Sequence, residues 1–192
     1  DDDNLSGLSI GQGTLDPAFD AATTSYTASV GNGVTSFPVT ATTDDPNATV
    51  TVSPANPAPL NVGLNTITIT VTSSDGSETK QYTIVVTRAA STDADLSDLV
   101  VTPATLSPAF ASSTLNYEAD VDSSVESVTV TPTDSESNST VTVNRTTVTS
   151  GETSGDIDLD VGLNTINVTV TAEDGVTSQT YTVTIQRGPG PP

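Results

Sequence analysis

Carboxylates are the only side chains in this sequence with the numbers and spacing to do chemistry. Asp and Glu total 24 against four basic residues, Lys80, Arg88, Arg145 and Arg187, giving a formal net charge of −20, and His and Cys are absent. Without imidazole the usual general base and the commonest zinc ligand are gone. Without a thiol there is no disulfide, no thiolate metal site and no cysteine nucleophile. Serine, cysteine and zinc hydrolases of the ordinary kinds are thereby excluded, and the chain is read as no enzyme. Two carboxylate groupings remain. Asp156, Asp158 and Asp160 alternate with Ile157, Leu159 and Val161, so in a strand they share one face. Such a pair could on paper hydrolyse a glycoside, but nothing in the sequence builds a cleft there, and a solvated strand face is the reading. Asp93, Asp95 and Asp98 form the other grouping, with Asp75, Glu78, Glu173 and Asp174 in loops that could add oxygens. Calcium takes about six to eight oxygens, so these three are candidate calcium ligands. No other cofactor is expected.

The elements that would position these groups come from a repeat. VGLNTITITVTSSDGSETKQYTIVVTR (Val62–Arg88) returns as VGLNTINVTVTAEDGVTSQTYTVTIQR (Val161–Arg187). Each copy reads as two alternating strands around an Asp-Gly turn. Leu96, Leu99, Phe110, Tyr117 and Val141 follow Leu5, Leu8, Phe19, Tyr26 and Val50 at an offset of 91, and Gly162 follows Gly63 at 99. The second copy therefore carries eight extra residues between Asn144 and Asp160, in place of the Pro54, Pro57 and Pro59 connector of the first. An insertion of this kind maps to a surface loop. The expected organisation is a first domain at 1–88, a short linker at 89–94, a second domain at 95–187 and a Pro/Gly-rich tail or linker at 188–192. Domains of roughly 90–100 residues can each bury one core without a staple. The absence of Met reads as a processed or excised segment. No apolar run is long enough to span a membrane and no signal-peptide pattern opens the chain.

Strand signals recur every eight to twelve residues, with no helical periodicity. Tyr26, Ala28 and Val30 share a face, Ile67, Ile69 and Val71 point inward from one closing strand, and Tyr82, Ile84 and Val86 do so from the other. Pro38 cannot donate to a ladder, so the strand around Phe37–Thr42 should be an edge or carry a bulge there. The fold class is all-β: two tandem antiparallel β-sandwich domains of about seven strands each, immunoglobulin-like in architecture.

In order and spacing, LSGL, GTLDPAFD, TSYTASV and VGLNTITITVTSSDG, echoed by LSDLVV, TLSPAF, LNYEADV and VGLNTINVTVTAEDG, this chain resembles the cadherin-like β-sandwich repeats of cell-surface proteins. The resemblance covers nearly the whole chain, twice. It implies an extracellular, non-catalytic structural or spacer module, part of a stalk, fibre or surface layer. Its partners would be other domains of the same polypeptide or other surface proteins. The alternatives are an adhesin or recognition module that binds a glycan or protein ligand through its loops, and a self-assembling filament subunit. Cadherins bind calcium between domains, so the resemblance makes Asp93, Asp95 and Asp98 the candidate ligands of an interdomain calcium, although the linker sequences that mark such sites in cadherins are missing here.

Acidity repels nucleic acid and anionic membranes, so neither is expected as a partner. Of the seven aromatic residues, Phe19, Phe110, Tyr26, Tyr82, Tyr117 and Tyr181 recur between copies or fall on an apolar strand face, which points to core packing; Phe37 alone is unpaired, its counterpart being Val128. Asn4, Asn47, Asn138, Asn144 and Asn167 each begin an Asn-X-Ser/Thr sequon and are glycosylation candidates. Arg88 and Arg187 close the last strand of each copy, where a salt bridge to an acidic neighbour is expected.

Overall fold

In a computed structural model, residues 2–189 are described; the tail beyond Pro189 and residue 1 lie outside. The chain divides into two compact units, the first ending at Ala90 and the second beginning at Ser91. The 89–94 segment belongs partly to each. Ala89 N–H donates to Val30 in the first unit. In the second, Ser91 N–H donates to Glu173 Oε2 at 2.9 Å, and Ala94 is buried in the core.

The first unit contains β1 (Leu5–Ile10), β2 (Ser25–Val30), β3 (Ser36–Phe37), β4 (Val39–Thr43), β5 (Thr49–Ser53), β6 (Ala58–Pro59), β7 (Gly63–Thr72) and β8 (Thr79–Arg88). One sheet runs β2-β8-β7-β5, and opposite it lie the pairs β1-β4 and β3-β6. Pro38 falls between β3 and β4, where the chain changes partner from β6 to β1. Its missing N–H is the reason the strand breaks, while its carbonyl accepts from Gly11.

The second unit contains β9 (Leu96–Thr102), β10 (Asn116–Val121), β11 (Ser127–Asp134), β12 (Thr140–Val143), β13 (Thr146–Val148), β14 (Ile157–Asp158), β15 (Gly162–Thr171) and β16 (Ser178–Arg187). Its sheets are β10-β16-β15-β12-β13 and β14-β11-β9. Thr129 stands where the first copy has Pro38, and β11 runs through it unbroken, paired to Thr102. The insertion, expected as a loop, contributes β13, which folds back on β12 through a two-residue turn at Asn144-Arg145.

Among the described residues pairing is antiparallel with one exception in each unit: β2 runs parallel to β8, and β10 parallel to β16. Alternation gives each sheet one dry face. Ile67, Ile69, Val71, Tyr82, Ile84 and Val86 are all buried in the first core, as are Ile166, Val168, Val170, Tyr181, Val183 and Ile185 in the second. Phe37 is fully buried, and Val128 fills the same place in the second copy.

Candidate functional site

The residues that recur between copies build turns and seal the core. In the VGLN motif the Asn side chain clamps the preceding turn. Asn65 accepts from Asn61 N–H at 2.8 Å and donates to the Asn61 and Gly63 carbonyls. Asn164 does the same with Asp160 and Gly162. The glycine is required because the turn holds φ at +85° in Gly63 and +103° in Gly162. At the Asp-Gly turns, Asp75 accepts from Ser77 N–H, Ser77 Oγ and Ser73 Oγ. Those donors, the Ser77 amide foremost, hold its carboxyl at about 2. Asp174 is likewise lowered, by the Thr177 hydroxyl first and then the Val176 and Thr177 amides.

The tyrosines are core residues with satisfied hydroxyls. Tyr82 accepts from Leu5 N–H at 3.1 Å and Tyr181 from Leu96 N–H at 2.9 Å. Phe19 stacks on Tyr26 and Phe110 on Tyr117. None of the seven rings is fully exposed, so they form no open aromatic platform.

The basic residues find carbonyls where carboxylates were expected. Arg88 donates from Nε and Nη2 to the Asn32 carbonyl. Arg187 donates to the Ser123 and Leu159 carbonyls. Both guanidinium groups thus tie the last strand to a turn that begins beyond β2 or β10. Lys80 reaches Asn4 Oδ1 at 2.7 Å and lies 5.2 Å from the Tyr82 ring centroid. In the second copy the same link is made with the charge on the other partner: Gln179 Nε2 donates to Asp95 Oδ1 at 2.6 Å.

The candidate calcium ligands are only partly brought together. Asp93 and Asp95 line one shallow hollow with Ser97, Phe110 and Ser135. There Asp93 Oδ1 accepts from Asp95 N–H and Ser135 Oγ. Asp98 sits on β9 opposite Thr133 and accepts from Leu99 N–H, away from that hollow. Glu173 holds Ser91, and Asp75 and Asp174 serve their own turns. Among the described residues no three acidic side chains gather closely enough to hold a metal ion. Asp156, Asp158 and Asp160 are all exposed, with Leu159 buried and Ile157 half-buried behind them, while Val161 turns out to solvent. Of the sequon residues, Asn47, Asn138, Asn144 and Asn167 are exposed and Asn4 is half-buried.

The strand order and core can be set beside known proteins. The cadherin-like beta sandwich domain matches residues 5–89 and again residues 96–188. This chain belongs to the cadherin-like β-sandwich family. Domains of this family are typically extracellular and non-catalytic, and the two units are hereafter cadherin-like domains 1 and 2. A protein of Evansella cellulosilytica named "Putative membrane protein" is 44% identical over 98 residues, which is 51% of this chain and 15% of the relative. This chain therefore spans a small part of that relative's length. No helix among the described residues is long and apolar enough to cross a membrane. Similar solved structures include the protocadherin GammaB4 extracellular domain (15% identity, 92% of this chain and 32% of that one, TM-score 0.32). Drosophila N-cadherin EC1-4 is another (15% identity, 86% and 48%, TM-score 0.31). The family match, and not these loose overlaps, identifies the fold.

Proposed function

We propose that this chain is a non-catalytic spacer or adhesion module of an extracellular surface protein, built to carry tension along its length. The observation behind this reading is the parallel pairing of an early strand with the last strand of each domain. In domain 1, β2 and β8 match over six register positions, from Ser25 opposite Thr83 to Val30 opposite Arg88. In domain 2, β10 and β16 match from Asn116 opposite Thr182 to Val121 opposite Arg187. Because the strands run the same way, the chain enters this ladder at one end and leaves at the other. Tension applied through the chain loads the ladder lengthwise, so its hydrogen bonds must slip together. A hairpin opened from its free ends breaks them one by one. Such a device suits a spacer that holds a binding element away from a surface. The family's extracellular habit and the membrane-protein name of the Evansella relative support the location.

Single-molecule pulling tests this directly, since the absence of native Cys leaves the attachment points free to choose. Pulled through its two ends, domain 1 should rupture at a clearly higher force than when pulled between Val62→Cys and Ala89→Cys, which unzips the β7–β8 hairpin. Equal rupture forces in the two geometries would refute the tension-bearing role.

A further inference from the structure

Among the described residues the β12–β13 turn is found in domain 2 and not in domain 1, and together with the groove beside it combines three independent features. The first is backbone strain. Asn144 and Arg145 both hold positive φ, 48° and 70°, as a two-residue hairpin turn between the paired Val143 and Thr146 demands. Asn tolerates that region, but the second position ordinarily carries Gly, and a long side chain there is held at a cost. The second is the residue itself. Of the four basic side chains, Lys80, Arg88 and Arg187 are engaged by backbone carbonyls or Asn4. Arg145 is exposed and makes no side-chain hydrogen bond among the described residues. The third is its surroundings. Arg145 borders a shallow groove of about 570 Å³ lined by Asn144, Asn167, Thr169 and Thr180. In a chain with 24 acidic residues this lining has none, and every member is an amide, a hydroxyl or the guanidinium. Thr169 and Thr180 share a 2.9 Å hydrogen bond, and Asn144 Oδ1 accepts from Asn167 N–H, so the floor is preset. At the matching positions domain 1 has Ser53 and Pro54 with Thr68, Thr70 and Gln81, with neither the turn nor a cation.

We propose that this groove binds a carboxylate-bearing saccharide, with Arg145 gripping the carboxylate and the Thr and Asn side chains meeting the ring hydroxyls. A planar guanidinium presents paired donors that match a carboxylate. The lining offers no apolar side chain, so it has little to hold a peptide and much to hold a polyhydroxylated ring. The net charge of the chain opposes an anion only over short distances, because charges beyond about 8 Å are largely screened at physiological ionic strength. This inference deepens the adhesion side of the proposed function. Its failure would leave the pulling result untouched.

The test is calorimetric titration of the two-domain chain, produced without glycosylation, with tetragalacturonate and with its methyl ester at physiological ionic strength. The acid should bind saturably in the millimolar range or tighter, and the ester much more weakly. Arg145→Gly should weaken binding about tenfold or more while the melting temperature of domain 2 stays level or rises, because Gly relieves the turn. Thr180→Val should weaken binding several-fold with the turn intact. Absence of saturable binding at millimolar acid, equal binding of acid and ester, or full binding by Arg145→Gly would each overturn the proposal.

Discussion

Tyr181→Phe is the sharpest probe of how domain 2 is sealed. The Tyr181 hydroxyl accepts from Leu96 N–H at 2.9 Å and from Gln179 Nε2 at 3.0 Å, and donates to the Ser112 carbonyl at 2.9 Å. Tyr181 and Leu96 are both 0% exposed, so no water can take over from the lost hydroxyl. Phe keeps the ring and its packing but strands a buried amide, which costs about 1–3 kcal/mol, with the other two bonds adding to the loss. A total near 2–3 kcal/mol is expected. For a domain of this size each kcal/mol lowers the melting temperature by about 4–8 °C, so domain 2 should melt roughly 10–20 °C lower. Differential scanning calorimetry should show this as a fall in one transition. Tyr82→Phe should lower the other by less, because the Tyr82 bonds are longer, 3.1 Å from Leu5 N–H and 3.3 Å to the Ala21 carbonyl. A shift of less than about 2 °C in Tyr181→Phe would show that the hydroxyl is not the seal and refute the reasoning.

Two further expectations follow from the turns. Asp75 titrates in the folded chain at about 2, below its ordinary 3.8, so its contribution to stability is complete above 3.8 and is lost as pH falls through about 2. An NMR titration of its carboxyl carbon should find that midpoint, and Asp75→Asn should flatten the acid limb of domain 1 stability. Asn164→Ala removes the clamp on Asp160 and Gly162 and should cost about 1–2 kcal/mol in chemical denaturation of domain 2, with the parallel change Asn65→Ala acting on domain 1.

Much of this architecture was legible in the sequence because period-two alternation and the repeat both report burial. The inward sets Ile67, Ile69, Val71 and Tyr82, Ile84, Val86 follow from alternation alone, and Pro38 announced an irregularity, expected as an edge or a bulge and found as a break between β3 and β4. Partner choice was not legible. Nothing in Ser25–Val30 says that it will lie parallel to β8, because alternation fixes which face is dry and leaves the neighbour open. The β13 strand was hidden for another reason. The alternating TVTVNRTTV run carries a hairpin signal, but Arg145 stands where Gly would have announced the turn. Basic residues posed a third difficulty. A carbonyl leaves no mark in a sequence, so the Asn32 and Ser123 acceptors of Arg88 and Arg187 could not be told from a carboxylate. Asp93, Asp95 and Asp98 were read as candidate calcium ligands; Asp93 and Asp95 share a hollow and accept hydrogen bonds within their own domain, while Asp98 lies on β9 outside it.

The carbonyl-bound arginines have a consequence for where such a chain can work. Ion pairs weaken as salt rises, but bonds from Arg88 and Arg187 to neutral backbone oxygens have no opposite charge to be masked. What added salt does mask is the mutual repulsion of 24 acidic groups. Brine therefore removes a penalty and leaves these fastenings in place, which suits the molecule to concentrated surroundings better than to dilute ones.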